Sequence, residues 1–175
     1  MAVHLPPSNT WDPTYYWQEG VENIERYRVG GYHPIQLGDQ FSHGRYQVIH
    51  KLGYGSFSTV WLARDHIDNR YVSLKVVTAA ASKLNSEAKI IHRLRQGNAD
   101  HPGRNFVLSS LDEFSIEGPN GRHQCLVSDV VGSSITEAKE ATEHGMLPVK
   151  TARGIAAQLA LGLAYIHSCD VRHGG

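Results

Sequence analysis

The chain has 175 residues and carries 17 Lys and Arg against 17 Asp and Glu, so its formal net charge is zero. That length suits one domain or two small ones. The charge balance argues against a basic face for direct nucleic-acid binding, and no stretch reaches the apolar length of a membrane span.

The opening residues, MAVHLPPSNTWDP, lack a basic start followed by an apolar core, so no secretory leader is expected. Only Cys125 and Cys169 are present. Two cysteines make neither a disulfide framework nor a four-thiolate zinc site, which fits a reducing compartment. The 11 histidines are scattered, and His167 and His173 do not stand at the close spacings of common zinc motifs, so no metal site is expected.

In chain order, residues 1–41 read as a largely irregular extension. PPSNTWDP is rich in turn formers, and VGGYHPIQLGD mixes Gly, Pro and Asp. Trp11, Tyr15, Tyr16 and Trp17 would be wasted in a free tail, and they are expected to dock on the domain or on a partner. From Tyr46 the pattern changes. RYQVIHKLGYG and STVWLARD predict two strands around a tight glycine-containing turn, and YVSLKVV predicts a third. A period of two puts Val72, Leu74 and Val76 on one face and Tyr71, Ser73, Lys75 and Val77 on the other.

ASKLNSEAKIIHRLRQG predicts one helix over 81–97, with Leu84, Glu87, Ile91 and Leu94 sharing a face. A carboxylate on that apolar stripe needs a partner, because burying it alone is costly. NFVLSSLDEFSI and HQCLVSDVV predict a strand pair joined by the turn EGPNG. LPVKTARGIAAQLALGLAYIHS predicts a second long helix over 147–168, with Pro148 in its first turn and a stripe of Ile155, Leu159, Leu163 and Ile166.

The chemistry gathers in the middle of the chain. Gly53 and Gly55 sit between two strands, where backbone could close over an anionic group; two glycines are also common in hairpins that bind nothing. A dinucleotide-binding loop would need a helix directly after the glycines, and STVWL is a strand. Lys75 shares its face with the small Ser73, and the helix that follows presents Glu87. A Lys–Glu pair would offset the cost of both charges and hold the ammonium where a phosphate could reach it.

Strand, glycine loop, strand, strand with Lys, helix with Glu: this ordered set resembles the front half of a protein kinase. GYGSFSTV resembles the kinase glycine-rich loop, with Ser58 in place of its third glycine, and VSLK resembles the strand that ends in the ATP-positioning lysine. GGYHPIQLGDQFSHGRYQVIHKLGYGSFSTVWLARD is similar to the start of the kinases of serine/arginine-rich splicing factors, and EGPNGRHQCLVSDVVG to the hairpin and hinge of that family.

The resemblance implies an α+β, protein-kinase-like fold. It would comprise a complete small lobe over 42–131, with an antiparallel sheet and one helix, then the hinge and first helices of a large lobe over 132–175. It implies an ATP site in which Leu52, Gly53, Gly55 and the backbone of Ser56, Phe57 and Ser58 lie over the nucleotide. Val60 and Ser73 would sit above the adenine, Lys75 would contact the phosphates while held by Glu87, and Asp129 and Val131 would supply hinge backbone. Ser73 stands where kinases usually carry alanine, and Ser128 stands where this family carries a bulky residue, so a larger back pocket is expected.

After the last helix the family has a His, a variable residue and the catalytic Asp; here these are His173, Gly174 and Gly175. The family also uses magnesium, held by an Asn and a second Asp further on. Without these groups the chain by itself is expected to transfer no phosphate, and without the rest of the large lobe its last helix is expected to be loosely held. The expected function is that of an ATP-binding serine/threonine kinase portion. By the same resemblance it would act on Arg-Ser repeats of splicing factors in the cytoplasm and nucleus. The alternatives are a non-catalytic module that binds nucleotide or a partner, and a non-functional product.

Overall fold

The computed structural model of the chain describes residues 21–84 and 86–172. Its centre is a six-stranded antiparallel sheet made of β1 (Gln40–Phe41), β2 (Tyr46–Gly55), β3 (Ser58–Asp65), β4 (Arg70–Val77), β5 (Ser110–Gly118) and β6 (Gly121–Ser128). The strand order is β1-β2-β3-β4-β6-β5. Helices α1 (Ala79–Ser82) and α2 (Ser86–Arg95) connect β4 to β5, and α3 (Ile135–Glu140) and α4 (Val149–Ser168) follow β6.

The alternation in the central strands decides which face is buried. Val72, Leu74 and Val76 point to one side of β4 and are at most 2% exposed. They join Tyr46, Val48, Trp61, Ala63, Cys125 and Val127 in one core. The sheet curls around this side, because the Tyr46 ring on β2 stacks on Phe114 of β5, with centroids 5.6 Å apart, although the two strands are not neighbours. A polar clasp closes the curl. Arg45 forks onto the buried Asp65 and reaches Asp112 of β5, which also accepts from the Tyr46 hydroxyl at 2.8 Å.

Several elements differ from the sequence reading. The helix expected over 81–97 is two helices. Ser82 is drawn to the sheet, donating to the Thr78 carbonyl at 2.9 Å and accepting from the Gln124 N–H at 2.8 Å, so the first turn stays with β4 and β6 while α2 swings toward Lys75. Leu84 therefore leaves the face it was expected to share and is 71% exposed. The first strand of the second pair starts at Ser110 rather than 105, because Arg104–Phe106 forms a 3-10 turn. Its partner ends at Ser128, so Asp129 and Val131 follow the strand rather than belong to it. α3 was not foreseen. Ser134 caps it in a reciprocal box with Glu137, a signature visible as Ser-x-x-Glu. Trp11, Tyr15, Tyr16 and Trp17 lie outside the described residues.

Candidate functional site

The site is built on the face of the sheet opposite the core. Cross-strand pairing sets Val60 opposite Lys75 and Leu62 opposite Ser73, and β6 adds Leu126 opposite Lys75 and Ser128 opposite Ser73. Gly53 lies opposite Val60 on the other side of the β2–β3 hairpin. Because α2 leaves the sheet at this point, Lys75 Nζ donates to Glu87 Oε1 at 2.6 Å. The two side chains remain 36% and 41% exposed. Water screens such a pair, whose contribution to stability is at most about 1 kcal/mol. The pair is therefore a means of holding the ammonium still, and it is not the buried ion pair that the stripe of Leu84, Ile91 and Leu94 implied.

A cavity of about 630 Å³ opens between the hairpin tip, β4, α1 and α2. Of the expected site residues it gathers Gly55, Ser56, Phe57, Ser58, Lys75 and Glu87. Leu52, Gly53, Val60, Ser73, Asp129 and Val131 are not in its wall. Leu52 is the extra residue of a bulge between Lys51 and Gly53 and is 46% exposed. Ser73 is buried within β4. The Asp129 side chain turns away to accept from Arg70 at 3.1 Å, which ties the start of the connector to the start of β4. Val131 is exposed. His173 and Gly175 lie outside the described residues.

The phosphate end fits a nucleotide. Neither Gly53 nor Gly55 occupies the left-handed region, and a Cβ at Gly53 would meet no atom within 4 Å. The fold itself therefore does not require glycine at Gly53 through an otherwise forbidden turn or a close backbone contact. The cavity has the volume usual for small-molecule sites, with two cationic side chains, Lys75 and Arg26, in its wall. For magnesium the described residues present no group of three or more converging His, Cys, Asp or Glu side chains.

The sequence reading missed several cavity residues. Arg26 and Gly30 come from the N-terminal segment, Ala80, Ala81 and Leu84 from the α1 region, and Gln124 from β6. Gly30 adjoins the Gly-Tyr-His-Pro stretch that the sequence singles out, but no local periodicity marks Arg26.

A glycine hairpin over a cavity, a strand lysine held by a helix glutamate, and a strand running into an extended connector define the small lobe of a protein kinase. The family model of the protein kinase domain matches residues 46–174, and the chain belongs to that family. Its α+β fold is that small lobe followed by the first helices of the large lobe. Within the family the chain is of the SR-protein-kinase type. It is 42% identical over 156 residues to protein kinase dsk1 of Schizosaccharomyces pombe, a match covering 87% of this chain and 29% of that protein. It is 38% identical over 166 residues to serine/threonine-protein kinase SKY1 of Saccharomyces cerevisiae, covering 89% of this chain and 22% of that one. It is also 38% identical over 159 residues to human SRSF protein kinase 3, covering 89% and 28%. The chain spans less than a third of the length of each of these relatives.

Proposed function

We propose that these residues form the ATP-holding part of a serine/threonine kinase acting on serines in Arg-Ser repeats of splicing factors. The observation that carries the reading is the Lys75–Glu87 pair, 2.6 Å long, on the wall of the cavity beneath the glycine hairpin. ATP bound there supplies the phosphoryl group. The chain's own residues bind and orient it. The Lys75 ammonium meets phosphate oxygens and offsets their charge, and Glu87 holds that ammonium in one position. The backbone from Gly53 to Ser58 closes over the phosphates and excludes water. On the family resemblance Val60 and Ser73 pack the adenine and the backbone of Asp129 and Val131 meets its edge, although none of the four lines the cavity itself.

Gly175 stands where the resemblance expects the catalytic Asp, so residues 1–175 by themselves provide no carboxylate there to orient a substrate hydroxyl or take its proton. Phosphoryl transfer by these residues alone is therefore negligible. The intact Lys75–Glu87 pair also fits a second reading, a non-catalytic module that binds nucleotide or a partner. The substrate class and a cytoplasmic and nuclear location rest on the family resemblance and belong to this proposal.

The test is titration of ATP into the protein and into Lys75→Met. Saturable binding by the wild type, weakened roughly tenfold or more in the variant, is the expected result, since one charge-assisted contact to phosphate is lost. A wild-type protein that shows no saturable ATP binding overturns the nucleotide reading. Label transfer from ATP to an Arg-Ser peptide by the 175 residues alone overturns their inactivity.

A further inference from the structure

Three successive carbonyls at the hairpin tip are tied to groups outside the hairpin. The Gly55 oxygen accepts from the Tyr32 hydroxyl at 2.8 Å, the Ser56 oxygen from the Arg26 guanidinium, and the Phe57 oxygen from the Thr78 N–H at 2.8 Å. In a planar trans peptide the carbonyl and the following N–H are rigidly opposed. Each tie therefore also orients the N–H of Ser56, Phe57 or Ser58.

Two of the three ties come from one stretch, residues 22–33, which belongs neither to the hairpin nor to the sheet. This stretch is anchored in its own right. The Arg26 guanidinium lies 4.9 Å from the centre of the Tyr32 ring. The Tyr27 hydroxyl and Lys51 both donate to the buried Glu22. The N–H groups of Ala79 and Ala80 donate to the carbonyls of Gly31 and Gly30 at 3.0 and 2.8 Å, and the Asn120 side chain donates to the Tyr32 carbonyl at 2.6 Å. Gly31 allows the turn to close, because a Cβ there would collide with the Arg26 carbonyl oxygen. The stretch thus joins two walls of one cavity, the hairpin tip and the start of α1. Arg26 and Gly30 line that cavity themselves.

We propose that residues 22–33 are a strap that sets the height of the glycine hairpin over the nucleotide phosphates, with Arg26 and Tyr32 as its positioning residues. The proposal rests on the nucleotide reading above. Without the two ties the tip is a two-residue turn, Ser56-Phe57, held from outside the hairpin by the Thr78 bond to the Phe57 carbonyl, with the Phe57 side chain 67% exposed. The strap touches the tip, so its loss weakens the hold on phosphates and leaves the hold on the nucleoside.

The experiment compares calorimetric binding of ATP and of adenosine by the wild-type protein, Tyr32→Phe, Arg26→Ala and Arg26→Lys. Tyr32→Phe and Arg26→Ala are each expected to weaken ATP binding roughly three- to tenfold, as for the loss of one hydrogen bond. Adenosine affinity stays the same in both, and Arg26→Lys recovers part of the loss for ATP. Equal weakening of ATP and adenosine, or ATP binding that is unchanged or tighter in both variants, overturns the strap. A wild-type protein that binds no ATP overturns the nucleotide reading first and the strap with it. If Tyr32→Phe fails to fold, the partly exposed Arg26 decides the question alone.

Discussion

Leu74 and Lys75 are neighbours in β4 with opposite fates, and the contrast separates what holds the molecule together from what it does. Leu74 has no exposed surface and lies opposite Trp61 and Val127 in the core. Truncating such a side chain removes its transfer free energy and leaves a cavity, so Leu74→Ala is expected to cost about 2–5 kcal/mol. Lys75 is 36% exposed, and Lys75→Met is expected to cost less than about 1 kcal/mol while weakening nucleotide binding roughly tenfold or more. Urea melts of the two variants measure the difference. A Lys75→Met protein as unstable as Leu74→Ala would make the ion pair a structural device. Both positions were legible from the period of two in YVSLKVV. The exposure of the pair was not, because it depends on where α2 leaves the sheet.

Among the elements, α4 shows how a face can be misjudged. Its apolar positions Ile155, Leu159, Leu163 and Ile166 form a stripe by spacing, yet Leu159 is 61% exposed while Gly162 and Tyr165 are buried. The reason is its partner. Among the described residues, α4 packs chiefly on the turn Arg104–Phe106, with the end of α2 and His101 against its last turns. The Tyr165 hydroxyl donates to the Leu94 carbonyl, and Arg93 donates to the Cys169 carbonyl at 2.6 Å and pairs with Asp170 at 2.8 Å. Among the described residues the first half of the helix shows no such ties, and Val149 is 67% exposed. Backbone protection follows burial and tertiary contact. Amide exchange is therefore expected to be at least roughly tenfold faster over 149–160 than over 162–168. Uniform slow exchange along the helix in a monomer would contradict this. The break between α1 and α2 has the same origin, since the Ser82 bonds to strands on either side are invisible to helical periodicity.

At the scale of the whole molecule, the clasp around Arg45 joins strands that are far apart in the sheet. Asp65, 1% exposed, accepts from Arg45 at 3.0, 3.2 and 2.8 Å and from the N–H groups of Ile67 and Asp68 at 3.0 and 3.3 Å. The Arg45 bond holds its carboxyl down, from 3.8 to about 2, against burial, which pushes the other way. A carboxyl with a lowered folded-state pKa stabilises the fold above its unfolded pKa, and that stability is lost as pH falls through the folded value. The protein is thus expected to lose about 2 kcal/mol from this group between about pH 4 and pH 2. Asp65→Asn should be less stable at neutral pH and show a flatter acid limb. Thermal melts from neutral to acid pH test this, and identical acid slopes in the two proteins would exclude the clasp as the cause.

The sequence by itself determined the strands of the antiparallel sheet, its buried face, the glycine hairpin and the candidate lysine and glutamate, but not the curl, which rests on contacts such as Arg45 to Asp112 across 67 residues. These features are written in runs of adjacent residues, where alternation and turn formers act over a few positions. The tertiary structure decided the rest: the break in the first helix, the face α4 uses, the exposure of the Lys75–Glu87 pair, the cavity wall and the strap. Each depends on a group that arrives from elsewhere in the chain. Tyr32 reaches Gly55 across 23 residues, and Asn120 reaches Tyr32 across 88. Local pattern reports which side chains avoid water. It does not report which neighbour will cover them, because that is settled only when all the elements compete for the same surface.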